Sequence, residues 1–172
     1  MRTNALPHYD MSVNTTGCCH KFNPDGWDDV ELHFEGKPFV RATTRSAMHI
    51  PINMGSVFNR VHGHIEDAGG WDADNTIVLS RDLSAWEAEH LFATDLDVEG
   101  EERVTLSGDF VTKVFEGPYS EAKNGEAVMR QTVEAHGGTP SDIWFYYTTC
   151  PKCAKAYGQN YIVGVAKMEP AQ

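Results

Sequence analysis

The chain has 172 residues, 41% of them apolar, and a formal net charge of −11. That suits one compact domain with a core of its own, and the acidic balance argues against nucleic acid, whose phosphates call for a basic surface. No run of about 18 apolar residues occurs, so no membrane span and no membrane partner are expected.

Taken in chain order, residues 1–17 read as a flexible polar tail with neither the apolar stretch nor the cleavage pattern of a secretory signal. A cytoplasmic location is the resulting expectation. Glu31 to Phe34 alternates polar and apolar residues as a short strand does, and Lys37-Pro38 leads into a long strand from Phe39 to Met48. Pro51 stops that strand and Asn53 can cap a helix. In that helix Met54, Val57, Phe58, Val61, Ile65 and Ala68 recur at spacings of three and four, a stripe able to cover a sheet face. Thr76 to Ser80 is β-prone, Arg81 to Ser84 interrupts it, and His90 to Val98 reads as the returning strand.

The same order then recurs. Val104 to Phe115 is rich in β-branched and aromatic residues, and Gly117-Pro118 ends it. Ser120 can cap a helix to about His136, with Ala127, Met129, Val133 and His136 among its inward positions. Asp142 to Thr149 and Tyr161 to Met168 close the unit as strands. Landmarks keep nearly constant spacing: Phe39 answers to Phe110, and Gly69-Gly70 to Gly137-Gly138. The predicted class is therefore α+β: tandem β-α-β-β repeats, about 37–98 and 104–168, within one domain spanning 18–172. They would form an antiparallel sheet with two helices on one side and a ligand groove at the repeat interface.

The segment from Gly108 to Tyr119, with its aromatic strand and Gly117-Pro118-Tyr119 turn, resembles the GyrI-like small-molecule-binding family, relatives of multidrug regulators' effector-binding domains. The resemblance extends over roughly Lys37 to Met168. A subgroup carries the same Cys18-Cys19 pair, Trp86, and the run from Tyr147 to Lys155. It implies a cleft for flat, aromatic, cationic compounds, serving sequestration or sensing, with aromatic walls and an answering carboxylate. Trp86, Phe115, Tyr146 and Tyr147 would supply the walls and Glu116 the charge. The partner would be a small-molecule ligand, bound by a monomer or homodimer with no organic cofactor. Some relatives hydrolyse strained cyclopropane rings through acidic residues. Here the matching positions are Ser107 and Phe145, which leaves Glu116 as the catalytic candidate if the chain is an enzyme.

The four cysteines fall in two pairs, Cys18-Cys19 and Cys150/Cys153. Cys150-Pro151-Lys152-Cys153 reads as a tight turn aiming two thiolates at one point, and the second pair would complete a tetrahedral structural zinc site. Adjacent cysteines diverge, so His20 is an alternative ligand. A redox dithiol and a disulfide are the rivals, and the dithiol is disfavoured because residues 154–159 lack good helix character. His62 and His64, two apart on one helix, cannot chelate together. Asp28-Asp29 and Asp72-Ala73-Asp74 read as solvated turns.

Overall fold

The structure, a computed structural model, describes residues 2–70, 72 and 77–171. Thr76, at the start of one predicted strand, and Ala73 and Asp74 of a predicted turn lie outside the described residues. The elements run β1 (Glu31–Ala47), β2 (Ile50–Pro51), α1 (Met54–Ala68), β3 (Val78–Asp82), β4 (Glu87–Ala93) and β5 (Glu102–Glu116). A short 3₁₀ turn (Tyr119–Glu121) then leads into α2 (Ala122–Ala135), β6 (Gly138–Tyr147), α3 (Pro151–Tyr157) and β7 (Tyr161–Pro170). The class is α+β, with a seven-stranded antiparallel sheet.

That sheet closes on itself. β1 uses both edges, pairing with β4 along Phe39↔Ala93 to Arg45↔Glu87 and with β5 along Glu31↔Val111 to Arg41↔Glu102. The ring continues through β3, β6 and β7 back to β5, so six strands form a barrel without a free edge. Its weakest seam joins the repeats, where β3 and β6 share the pair Ser80↔Phe145. The two strands read separately as Glu31–Phe34 and Phe39–Met48 are one strand, bent by a bulge between Phe34 and Lys37 where Gly36 takes a φ of 60°.

Alternation along the strands sends one side chain in and the next out. The inward set includes Phe34, Phe39, Leu79, Leu91, Phe110, Trp144, Tyr146, Val163 and Val165, which fill the barrel. The outward set lies under the two helices. α1 lays Val57, Val61 and Ile65 over Val40, Ala42 and Phe92, and α2 lays Met129 and Val133 over Val111 and Ala166. Ala127, expected inward, is exposed. The segment before β1, expected as a polar tail as far as Gly17, lies against one end of the barrel. From it Tyr9, Phe22 and Trp27 enter the same core as Tyr146. Among the described residues, no helix is long and apolar enough to cross a membrane.

Candidate functional site

The cysteines come together from opposite ends of the sequence. The ligand atoms of Cys18, Cys19, Cys150 and Cys153 all lie within 4.8 Å of one another. The expectation that Cys18 and Cys19 diverge fails, since their sulfurs are 3.8 Å apart. That distance is the edge of a tetrahedron with bonds of about 2.3 Å, the zinc–thiolate length. His20 instead sets its ring edge-on against Tyr9. The predicted turn at Cys150 is also different: Pro151 at the first position starts α3, Cys150 is its N-cap, and Cys153 lies in its first turn. A hydrogen bond with Thr16, at 3.3 Å, is the main reason the Cys153 thiol is drawn down to about 6, while burial pushes Cys19 up. Tyr157 donates to the Cys19 carbonyl at 2.6 Å, and Tyr119 donates to the Thr149 carbonyl beside the cluster. These four residues could hold a metal ion.

The residues expected to line one cleft are dispersed. Trp86 sits in the β3–β4 hairpin, 61% exposed, at the end of the barrel where Arg41 faces Glu102. Glu116 is exposed at the far end of β5, paired with Tyr161. Tyr146 points into the barrel among Phe22 and Trp27, whereas its neighbour Tyr147 points out and stacks near Tyr119. Phe115 packs outward against Phe145 under α2. Ser107 is exposed and accepts a hydrogen bond from the Gly36 N–H.

Two buried carboxylates are fully engaged. Glu89, among the inward-facing groups near the Trp86 end, accepts from Arg41 Nε and Arg81 Nε at 2.7 Å each and from Trp144 Nε1 at 3.1 Å. Burial works against its charge, but these donors outweigh burial and hold it below the ordinary carboxylate range. Glu101, its side chain 3% exposed, pairs with Arg60 Nε at 2.9 Å and His64 Nδ1 at 2.8 Å. A carboxylate held as Glu89 is makes a poor base.

The groups that face open space lie elsewhere. A cavity of about 180 Å³ sits between the end of α1 and the segment leaving β4, lined by Ile65, Gly69, Gly70, Asp72, Thr94 and Asp95. Gly69 and Gly70 have φ of 143° and 90°, so the chain turns there in a conformation that other residues resist. Close by, Lys37 is 2% exposed, and burial lowers its pKa against the opposing charges of Asp95 and Asp72. Its ammonium donates to the Asn4 carbonyl at 3.1 Å. A more open hollow of about 240 Å³ lies between residues 10–24 and Tyr161. It has no comparable buried charge among the described residues lining it.

Neither Lys37 nor Asp95 stood out in the sequence. The only signal was a lysine placed directly before an apolar strand, at Lys37-Pro38.

The model of a family described as bacterial hydrolase matches residues 9–168. The chain belongs to that family. No curated protein matches it. The family corrects the GyrI-like resemblance, and with it the readings as a multidrug-binding or effector-binding domain and as a sequestering cleft for aromatic cations. That resemblance stood on a short Gly-Pro-Tyr turn, a duplication and the shared cysteine runs and Trp86, which fix a frame and leave its chemistry open. The groove imagined between the repeats is a closed barrel filled by its own aromatic residues.

Proposed function

We propose that the protein is a hydrolase of a small electrophilic compound, acting in the cavity beside the end of α1. The observation that carries this reading is the pairing of an open cavity holding Asp72 and Asp95 with the buried Lys37. Hydrolysis needs a base to take a proton from water and a cation to meet the developing oxyanion. Asp95, the stronger of the two carboxylates acting on Lys37, is assigned the first role and Lys37 the second. At about 180 Å³ the cavity is smaller than the sites that enclose drug-sized ligands, which points to a compact substrate.

The test is a panel of small esters, lactones, amides and strained rings offered to the purified protein. Asp95→Asn should lower kcat by about a hundredfold or more. Activity should fall on the alkaline side before the ordinary lysine range, because burial brings the loss of the Lys37 proton to lower pH. Turnover that is indifferent to both Asp95→Asn and Lys37→Gln would place the chemistry elsewhere.

The four thiolates are assigned one structural zinc ion. Four converging sulfurs favour metal over a two-cysteine redox pair, even though Cys150 and Cys153 do sit at a helix start, where redox pairs are found. A centre with four protein ligands has no open position, so its contribution is to the fold. Elemental analysis of protein purified without added metal should find about one equivalent of zinc.

A further inference from the structure

Residues 2–30 form a strap that touches both the thiol cluster and the surroundings of Lys37. At its cluster end, Cys18 and Cys19 meet Cys150 and Cys153, and the Cys19 carbonyl accepts from Tyr157. In its middle, Tyr9, Phe22 and Trp27 plug the barrel, and Trp27 Nε1 donates to the His8 carbonyl at 3.1 Å. Near its start, Asn4 is pinned to the β1 bulge. Its N–H donates to the His33 carbonyl, its Oδ1 accepts from the Glu35 N–H at 2.8 Å, and its Nδ2 donates to the Glu35 carbonyl. That pin presents the Asn4 carbonyl to the Lys37 ammonium.

We infer that the four-cysteine centre is a metal-dependent latch that seats this strap and thereby assembles the site at Lys37. The inference rests on the hydrolase reading only for the role given to Lys37. The strap lacks regular secondary structure over most of its length, with a single bridge, Thr3↔His33. Ordering such a segment costs conformational entropy that few backbone bonds offset. Residues 27–30 are tied to β5 through Thr112 and Val114, so the length that needs other anchors runs from residue 2 to 26, held by the Asn4 pin, the aromatic plug and the cysteines. A metal that fastens residues 18 and 19 to α3 shortens the free segment, so the plug and Asn4 dock as though intramolecular. Without the metal the strap lifts, the barrel end opens, and Lys37 loses its carbonyl partner.

The experiment compares zinc-loaded full-length protein with the same protein stripped by a chelator. Lys37 acylation by an amine reagent is read by peptide mass mapping, and amide hydrogen exchange is followed along the chain. Stripping should raise Lys37 acylation by about tenfold and speed exchange across residues 2–26, while α2 and β7 keep their protection; restoring zinc should reverse both changes. Unchanged Lys37 acylation after complete stripping overturns the latch. So does loss of protection in α2 and β7 together with the strap, because the metal would then stabilise the whole fold. Asn4→Ala gives a second test with the metal in place: Lys37 acylation should rise at unchanged zinc content, and no rise would break the assigned link. These readouts do not depend on turnover. No turnover of any compound in the panel while acylation behaves as stated would sink the hydrolase reading and leave the latch standing.

Discussion

Beneath α1 the barrel presents Thr44, His90 and Ser80 alongside Val40, Ala42 and Phe92; beneath α2 it presents Val111, Ala166, Ile143 and Phe145 around Met129. The two faces occupy matching places in the repeated frame. One encloses an imidazole held by two hydroxyls, with Thr44 Oγ1 at 2.8 Å from Nε2 and Ser80 Oγ at 2.7 Å from Nδ1. The other is apolar and so tight that two glycines are needed beneath and within the helix, Gly164 on β7 and Gly125 on α2. A duplicated backbone therefore does not imply duplicated physics: repeat one should respond to pH, and repeat two to volume.

The largest expected effect is acid loss of stability through His90. Burial, with the ring 1% exposed and the edge of Phe58 against it, pushes its pKa down to about 4. In the unfolded chain the ordinary value is 6.5. The unfolded state therefore binds more protons between these values, and stability is full above 6.5 and declines as pH falls toward 4. The shift corresponds to about 3 kcal/mol. Denaturant melts across that window should show the slope, and His90→Asn should remove it. An unchanged slope in the variant would assign the acid sensitivity to another group.

Next in size is the tight face of repeat two. A methyl at Gly164 would run into Met129 Sδ, with Met129 Cγ at 2.9 Å and Phe115 Cε2 at 3.2 Å. Met129 and Val133 are fully buried, so there is little free space to take up the displaced atoms. Gly164→Ala should cost about 2 kcal/mol at every pH. Adding Met129→Ala should recover part of that, a non-additive result expected for residues in contact. Strict additivity would show that the side chain yields freely and that the face is looser than its geometry.

Much of this frame was legible in the sequence. The stripe from Met54 to Ala68 gave α1 to the residue, because its apolar period is regular and Asn53 and Gly69 bound it. Most β-rich runs were found because β-branched and aromatic residues cluster there, but the strand expected at His90 to Val98 is β4 at Glu87–Ala93, whose start carries Glu87 and the buried Glu89 and so shows no apolar alternation. Closure was not legible, since the second partner of β1 is set by pairing across the whole chain and leaves no local mark. The strap was missed for a related reason. Tyr9, Phe22 and Trp27 are too few and too irregularly spaced to show a period, yet each finds a place in the barrel end. The cysteine grouping was legible from pair spacing alone, while the helix at α3 was obscured by its length of 7 residues. Lys37 was hidden because a lysine in sequence reads as surface, and only the tertiary fold buries it.

The smallest effect separates the ion pairs that hold the two helices. Glu101, its side chain 3% exposed, receives Arg60 Nε at 2.9 Å and His64 Nδ1 at 2.8 Å, tying α1 to the loop between β4 and β5. Glu126 and Arg130 form an i,i+4 pair at 2.9 Å on the surface of α2, with both side chains about half exposed. The first carboxylate is out of water and joins two elements; the second stays solvated within one. Glu101→Gln should therefore cost about 1 kcal/mol with little dependence on salt, since buried charges are screened weakly. Glu126→Gln should stay within about 0.5 kcal/mol and fade as ionic strength rises. The difference is readable by paired denaturant titrations at low and high salt. Equal costs would mean that α1 is held by its apolar stripe alone, with Glu101 contributing no more than a surface pair.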